Sequence, residues 1–313
     1  MHADPGCGTG GRETALDPAV VRAEVMRRVA PLPRFERVGL TAALGRVLYE
    51  AVDAAGLPAG RRVGPLELGW LAGSGAAEVA VHARPRVAVL CTGDELQSIG
   101  SVLEPGKIHD SNRYLLHGLL ARCGAEVVDR GRVADDPVDL GLALRAAAEV
   151  SDAVLTTGGV SAGDADLVCG ALASCGELLI RRVAVRPGRP MAFGRIGSTW
   201  VFSLAGKPSG VLSAFLGLVG DAVRRLGGEV PRPAAPRLPM VLAEPLAKRH
   251  SRAEFVQGIM FERDGRWMVR ASRIEGGRLC SMSAANCYIV MAPEQRTVAA
   301  GQTVLVQAFG DRV

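Results

Sequence analysis

Between residues 85 and 229 the chain alternates short apolar runs with longer stretches in which apolar positions recur every three or four residues. The runs at 87–91, 126–129, 153–157, 178–185, 191–193 and 200–204 have strand length. The stretches between them carry helical spacing. Ser111 is placed to cap a helix whose stripe is Leu115, Leu116, Leu119, Leu120 and Cys123, stopped by Gly124. Asp135-Asp136-Pro137 opens the next, with Leu140, Leu144 and Ala148 on its apolar face. Leu167, Val168, Ala171 and Leu172 mark another, and 208–226, closed by Gly227-Gly228, the last. Such alternation predicts an α/β fold with a mostly parallel sheet and helices on both faces. Ligands in such sheets bind beyond the carboxyl ends of the strands.

The flanks carry different patterns. Residues 1–15 are Gly-rich and lack apolar periodicity, and read as a disordered tail. A helix is expected over 16–29, capped by Asp17 with Pro18 at its first position. Residues 37–52 read as a second helix or a strand pair, 53–65 as a linker, 65–73 as a short helix and 78–82 as a strand. Beyond a Pro-rich linker at 230–239 the pattern is all β. Strands at 254–262 and 266–271 flank the hairpin signal Arg263-Asp264-Gly265, and two more fall at 288–291 and 303–306. The division is a short helical and linker region over 16–84, an α/β domain over 85–229, and a small β-barrel or sandwich over 240–313.

Composition narrows the chemistry. The chain is 48% apolar and 22% charged, as ordinary globular proteins are. Net charge is +5, and every basic residue except Lys107, Lys207 and Lys248 is Arg. No basic run interleaves with aromatics, which excludes nucleic acid, while a mild positive balance suits an anionic small molecule. Seven cysteines form no CxxC pair, which argues for a reducing compartment without a disulfide framework or zinc site. The N-terminus lacks the apolar core of a signal peptide, and no apolar run is long enough to span a bilayer. A cytoplasmic protein is expected, with no membrane partner.

The run at 153–157 leads directly into Gly158-Gly159-Val160-Ser161-Ala162-Gly163-Asp164-Ala165-Asp166. A strand feeding a glycine turn that opens a helix leaves backbone N–H groups free to hold an anion. Asp164 and Asp166 suit helix capping, or a Mg²⁺ ion beside a phosphate. The turns at 92–95, 134–136 and 158–166 all follow strands and can gather on one edge. They would bring together Asp94, Glu95, Asp135, Asp136, Asp164 and Asp166. Acids so crowded repel and need cations. Mg²⁺ is one; Arg186-Pro187-Gly188-Arg189-Pro190 supplies two guanidiniums that grip oxyanions in bidentate fashion. Acids, metal and Arg around a glycine turn are what phosphoanhydride chemistry requires. The competing reading is a set of solvated helix caps paired to surface Arg.

Thr92-Gly93-Asp94-Glu95-Leu96, Asp110-Ser111-Asn112, Asp135-Asp136, Thr157-Gly158-Gly159 through Asp166, the Arg186–Pro190 motif and Gly206-Lys207-Pro208-Ser209 follow in order. The set resembles the MoeA family of molybdopterin molybdenumtransferases, to which the E domain of animal gephyrin belongs. The α/β domain alone is also similar to MogA and MoaB. The resemblance implies a MogA/MoaB-like domain with a C-terminal barrel. It implies a homodimer that binds adenylylated molybdopterin and molybdate, inserts the metal into the dithiolene and releases AMP with Mg²⁺ present. A MogA-type adenylyltransferase or a full-length MoeA are the implied protein partners. By the same likeness Glu95, Asp136, Asp166, Arg186 and Arg189 are catalytic positions, and Glu95, Asp135, Asp136 and Asp166 hold the metal. Thr92, Gly93, Asp94, Ser111, Asn112, Gly158, Gly159, Val160, Ser161, Gly163 and Asp164 fall on pterin-binding positions. So do Pro187, Gly188, Gly206, Lys207, Pro208 and Ser209.

This sequence also departs from the family pattern. Between Val52 and Gly60 the family carries a PxFDNSAMDGYA segment and an entire lid domain; Asp53-Ala54-Ala55-Gly56-Leu57-Pro58-Ala59 replaces both. Arg186 and Arg189 stand for two Lys. The LPGNP loop reads Leu204-Ala205-Gly206-Lys207-Pro208, and Gly276 replaces a Ser. Lys207 is either a surplus cation for the ligand or drift in an idle loop. Molybdate insertion is the leading expectation. The alternative is a molybdopterin-binding or accessory paralogue without turnover; a MogA-type adenylyltransferase or hydrolase is the third reading.

Overall fold

A computed structural model describes residues 15–159, 167–231, 233, 235–272 and 279–310. The expectations for Val160, Ser161, Gly163, Asp164 and Asp166 lie outside these residues.

The chain opens on α1 (Pro18–Arg28), where the Asp17 carboxylate accepts from the Ala19 amide at 2.8 Å. A small domain follows. Its strands β1 (Phe35–Gly39) and β2 (Glu78–His82) pair antiparallel, and α2 (Pro65–Gly73) lies between them in sequence. The residues read as a linker are packed into this domain. Ala55, Leu57 and Val63 are buried in a core with Ala43, Leu48, Leu71, Val79 and Val81. Ala, Gly and Pro around them hid three inward side chains. Where the lid would be inserted, the backbone closes on itself: the Val52 amide donates to the Leu57 carbonyl at 2.9 Å, around a 3₁₀ turn at Asp53–Ala55.

The α/β domain contains β3 (Arg86–Thr92), α3 (Asn112–Cys123), β4 (Glu126–Val133), α4 (Pro137–Glu149), β5 (Ala153–Thr157) and α5 (Leu167–Cys175). Then come β6 (Glu177–Arg182), β7 (Val185–Arg186), β8 (Pro190–Ile196) and β9 (Thr199–Leu204). A single long helix closes the domain, as α6 (Pro208–Ala214), a π turn (Phe215–Val219) and α7 (Gly220–Leu226). The sheet has six strands in the order β4-β3-β5-β9-β8-β6. β4, β3, β5 and β9 run parallel, and the β8 turn-back is antiparallel. Alternate residues along each strand face opposite layers. Val87, Val89, Leu155, Phe202 and Phe193 pack with α1, α3 and the long helix. Ala88, Leu90, Val154 and Val201 pack with α4 and α5. The run at 178–185 breaks in two: β6 stays in the sheet, while β7 crosses to pair with the C-terminal domain. A continuous apolar and basic pattern carries no mark of that switch.

The C-terminal domain is a closed five-stranded barrel. Its strands are β10 (Leu238–Leu242), β11 (Ala253–Arg263), β12 (Arg266–Ala271), β13 (Cys287–Met291) and β14 (Thr303–Ala308), in the order β12-β10-β14-β13-β11, with β11 pairing back to β12. The β11–β12 turn has positive φ at both Asp264 (52°) and Gly265 (71°), the geometry a two-residue hairpin needs. Met282, Tyr288 and Phe309 join the core of the α/β domain.

His82 seals the junction between the small and α/β domains. Its ring packs edge-on against Tyr49, and a Cβ on Gly228 would lie 2.1 Å from it. Burial pushes its pKa below the usual 6.5 against an opposing contact with the Leu32 backbone, and Nδ1 is buried without a hydrogen bond of normal geometry among the described residues. The folded state therefore holds a neutral ring, whereas the unfolded chain takes up a proton near the ordinary value. Stability contributed by His82 is present above 6.5 and is lost as pH falls from there through the folded pKa. Urea midpoints should drop as the pH falls below 6.5, and His82→Phe should show a smaller drop. Identical pH slopes for the two proteins would refute this.

Candidate functional site

The carboxyl ends of the parallel strands, Thr92, Val133, Thr157 and Leu204, lie on one edge of the sheet. After β3 the chain turns through Gly93, over which the Glu95 carboxylate folds; a Cβ there would meet Glu95 Oε2 at 2.6 Å. The Thr92 hydroxyl donates to Asp135 Oδ1 at 2.5 Å, and the Asp135 amide donates to Asp94 Oδ1 at 3.3 Å. The Lys107 ammonium donates to the Asp94 carbonyl at 2.7 Å. The first two turns expected at this edge are thus bonded to each other. Asp135 and Asp136 divide their duties. Asp136 Oδ1 caps α4, accepting from the Val138 and Asp139 amides at 2.8 and 3.0 Å. Asp135 is the one turned toward the neighbouring strand end.

Gly158 has φ +90°, and a Cβ on it would stand 2.0 Å from the Thr92 carbonyl oxygen. A Cβ on Gly206, after β9, would lie 3.5 Å from Gly158 Cα. Asn112 Nδ2 donates to the Gly206 carbonyl at 2.6 Å, tying the start of α3 to the same edge. Ser111 holds the N-cap position of α3 but caps nothing: its backbone is α-like at φ −90°, ψ −24°. Asp110 takes that task, accepting from the Arg113 amide at 3.2 Å. Lys207 is the N-cap residue of α6; its carbonyl accepts from Gly210 and Val211, and its exposed side chain makes no capping bond. Pro208 and Ser209 begin that helix.

The Arg186–Pro190 loop rests on the first turn of α6, where a Cβ on Gly188 would lie 3.3 Å from the Gly210 carbonyl oxygen. Arg186 pairs through its backbone with Glu254 of β11, and its Nε is 3.7 Å from Glu254 Oε1. His250 Nε2 stands 3.2 Å from the other Glu254 oxygen. Burial, then the charges of Arg189 and Arg186, push the Arg252 pKa down. Burial likewise lowers His250, and Arg186, Arg252 and Lys248 add to it against Glu254. Arg186 and Arg252 therefore stand by one carboxylate, and the charge of Arg189 adds to the crowding at Arg252. The barrel half of this cluster was missed in the sequence. Its trace is the charge run Lys248-Arg249-His250-Ser251-Arg252 just before β11.

Among the described residues no three His, Cys, Asp or Glu side chains form a metal-holding group. Glu95, Asp135 and Asp136 do not by themselves form such a group, and Asp166, the fourth residue of the expected set, lies outside the described residues. The hard oxygen donors at the Thr92–Asp135–Asp94 network still suit Mg²⁺, which is held by one or two carboxylates with substrate phosphates.

Residues 88–225 match a family described as a probable molybdopterin binding domain, and residues 239–309 match the MoeA C-terminal region, domain IV. A molybdopterin molybdenumtransferase of Haemophilus influenzae is 32% identical over 281 residues, covering 89% of this chain and 68% of that protein. This chain belongs to the molybdopterin molybdenumtransferase family. The family's Nostoc member is 33% identical over 80% of this chain and 59% of its own length. The chain thus spans about three fifths to two thirds of the length of these relatives. The molybdopterin biosynthesis moeA protein of Pyrococcus horikosii shares the fold, with a TM-score of 0.80 at 20% identity over 95% of this chain and 99% of that one. Among the described residues no helix is long and apolar enough to cross a membrane.

Proposed function

We propose that this family member inserts molybdate into adenylylated molybdopterin and releases AMP, and does so without the lid. The supporting observation is the continuity of one edge. Thr92 contacts Gly158, Gly158 contacts Gly206, and α6 carries the Arg186–Pro190 loop. Acids stand at one end of that line and guanidiniums at the other. Gly158 and Gly159 let the end of β5 lie hard against Thr92 and Val168, which keeps the strand ends at one edge. Asn112 fixes the Gly206 carbonyl, and so the start of α6. Arg186, Arg189 and Arg252 would hold the molybdate oxyanion by charge-assisted bonds. Asp94 and Asp135 would hold Mg²⁺ together with substrate phosphates, and the ion, when bound, neutralises charge on the phosphoanhydride. A homodimer acting in the cytoplasm belongs to the same proposal.

The full chain, incubated with adenylylated molybdopterin, molybdate and Mg²⁺, should release AMP in a molybdate-dependent manner. Asp135→Asn should slow release by about 100-fold, the cost of losing one electrostatic contact to the reacting group. The accessory reading draws on Asp53–Ala59 standing where the family carries its lid, since an open site loses what water exclusion supplies. Retention of the adenylylated pterin with no AMP release at any molybdate concentration would favour it over turnover.

A further inference from the structure

Away from the sheet edge a cleft of about 320 Å³ opens between α1, the long helix, β7 and the barrel. Val21, Val185, Met191, Leu216, Leu218 and Phe255 give it hydrocarbon walls. Its long-helix wall is the π turn Phe215–Val219, an irregularity that α-helices keep mostly where a ligand or function needs it. The Tyr288 side chain lines it as well. Tyr288 is only 2% exposed, and its hydroxyl has no hydrogen-bond partner among the described residues. Ser213 stands beside that hydroxyl without a bond of normal geometry. A buried phenol left unpaired is costly unless something else completes it. At the cleft's other side the Arg237 guanidinium lies 5.9 Å from the centre of the Phe255 ring, with no carboxylate partner among the described residues. By contrast Arg22, also at the cleft, is bonded to Asp221 at 2.8 Å.

These features are those of a small-molecule site: concave, mostly apolar, with few polar groups at fixed points. The size suits one or two rings rather than a folded partner. The buried hydroxyl asks for one polar group on the ligand, and the exposed Arg237 cation, with no carboxylate partner among the described residues, suits an anion. We propose that this cleft is a second ligand site that takes a small aromatic acid. The ring system sits between Phe255 and Leu216, a ring substituent bonds the Tyr288 hydroxyl, and the acid reaches Arg237. Gly188 also lines the cleft, so a bound ligand lies behind the loop that carries Arg186 and Arg189. None of the cleft's side chains belongs to the sheet-edge site.

The test uses the full chain and 8-anilinonaphthalene-1-sulfonate, whose two ring systems and sulfonate match the required chemistry. Fluorescence should report saturable binding of one dye per chain, reversed by 1-naphthoate. Arg237→Ala should weaken binding about tenfold, the worth of one charge-assisted contact. Leu216→Trp should abolish it by filling the cleft, with unchanged circular dichroism as the folding check. Arg237 is at the surface end of the cleft, so its variant keeps the test decisive if the Leu216 variant misfolds. Non-saturable binding, or binding that neither variant changes, overturns the proposal. So does a self-associated wild type that binds no dye and that Leu216→Trp dissociates, since the cleft is then an interface between copies.

Discussion

Gly158→Ala should destabilise the protein by about 3 kcal/mol and eliminate molybdate-dependent AMP release. The added Cβ would stand 2.0 Å from the Thr92 carbonyl oxygen and 3.1 Å from its carbon, and the backbone φ of +90° is itself hostile to an L side chain. Neither obstacle is a flexible side chain. Relief requires the ends of β3 and β5 to part, and Cys91 and Thr157 are paired in register there. Parting them would also break the hydrogen bond from Thr92 to Asp135, one residue further along. Two neighbours provide a scale. Gly159→Ala, at φ +62°, meets the Cγ2 methyls of Val168 and Thr92 at 2.7 and 2.8 Å, side-chain atoms rather than a strand's backbone. Gly197→Ala, at φ +58° in open space, carries the backbone penalty alone, about 1 kcal/mol. Denaturant melts should rank Gly158 well above Gly159, and Gly159 above Gly197. If Gly158→Ala melts with Gly197→Ala, the two strand ends are not in contact.

That contact explains why the sheet edge was readable from sequence. Strand-length apolar runs at 87–91 and 153–157, each leading into a glycine turn, leave little choice about where the chain turns. Alternation of the runs with helical stretches orients the strand ends alike. The division of labour between Asp135 and Asp136 was not readable, because adjacent aspartates before a proline are equivalent on paper. Only the backbone at Asp136, extended at φ −114°, ψ 129°, turns its carboxylate back onto the α4 amides. Ser111 is the converse: the right residue type in the capping position, with a backbone that points it elsewhere. The packed segment 53–65 was hidden by composition, since small and turn-forming residues are scored as linker even when a few apolar side chains among them reach a core. Strand β7 and the Lys248–Arg252 run were hidden by distance. Their meaning comes from pairing between residues far apart in sequence, Arg186 with Glu254, which no local pattern records.

That pairing leads to the other large expected effect. Arg252→Ala should raise the molybdate KM and lower kcat/KM for AMP release by about 100-fold, with Arg252→Lys recovering part of the loss. Arg186 and Arg252 share Glu254 as a nearby acid, and Arg252 is held there against its own desolvation and the charges of Arg189 and Arg186. An arginine kept for stability gains from its surroundings; this one is opposed by them. Removing it should leave thermal stability unchanged or improved, while an arginine with a structural pairing duty, such as Arg62 on Glu229, should lose stability when replaced. Glu254→Gln supplies the opposite sign. It takes away the counter-charge, and the molybdate KM should fall rather than rise. A cluster that served only to pin β7 to the barrel would behave otherwise: both variants would loosen the junction and lower stability together. Opposed shifts in KM, with stability flat for Arg252→Ala, therefore separate an oxyanion site from a structural clasp.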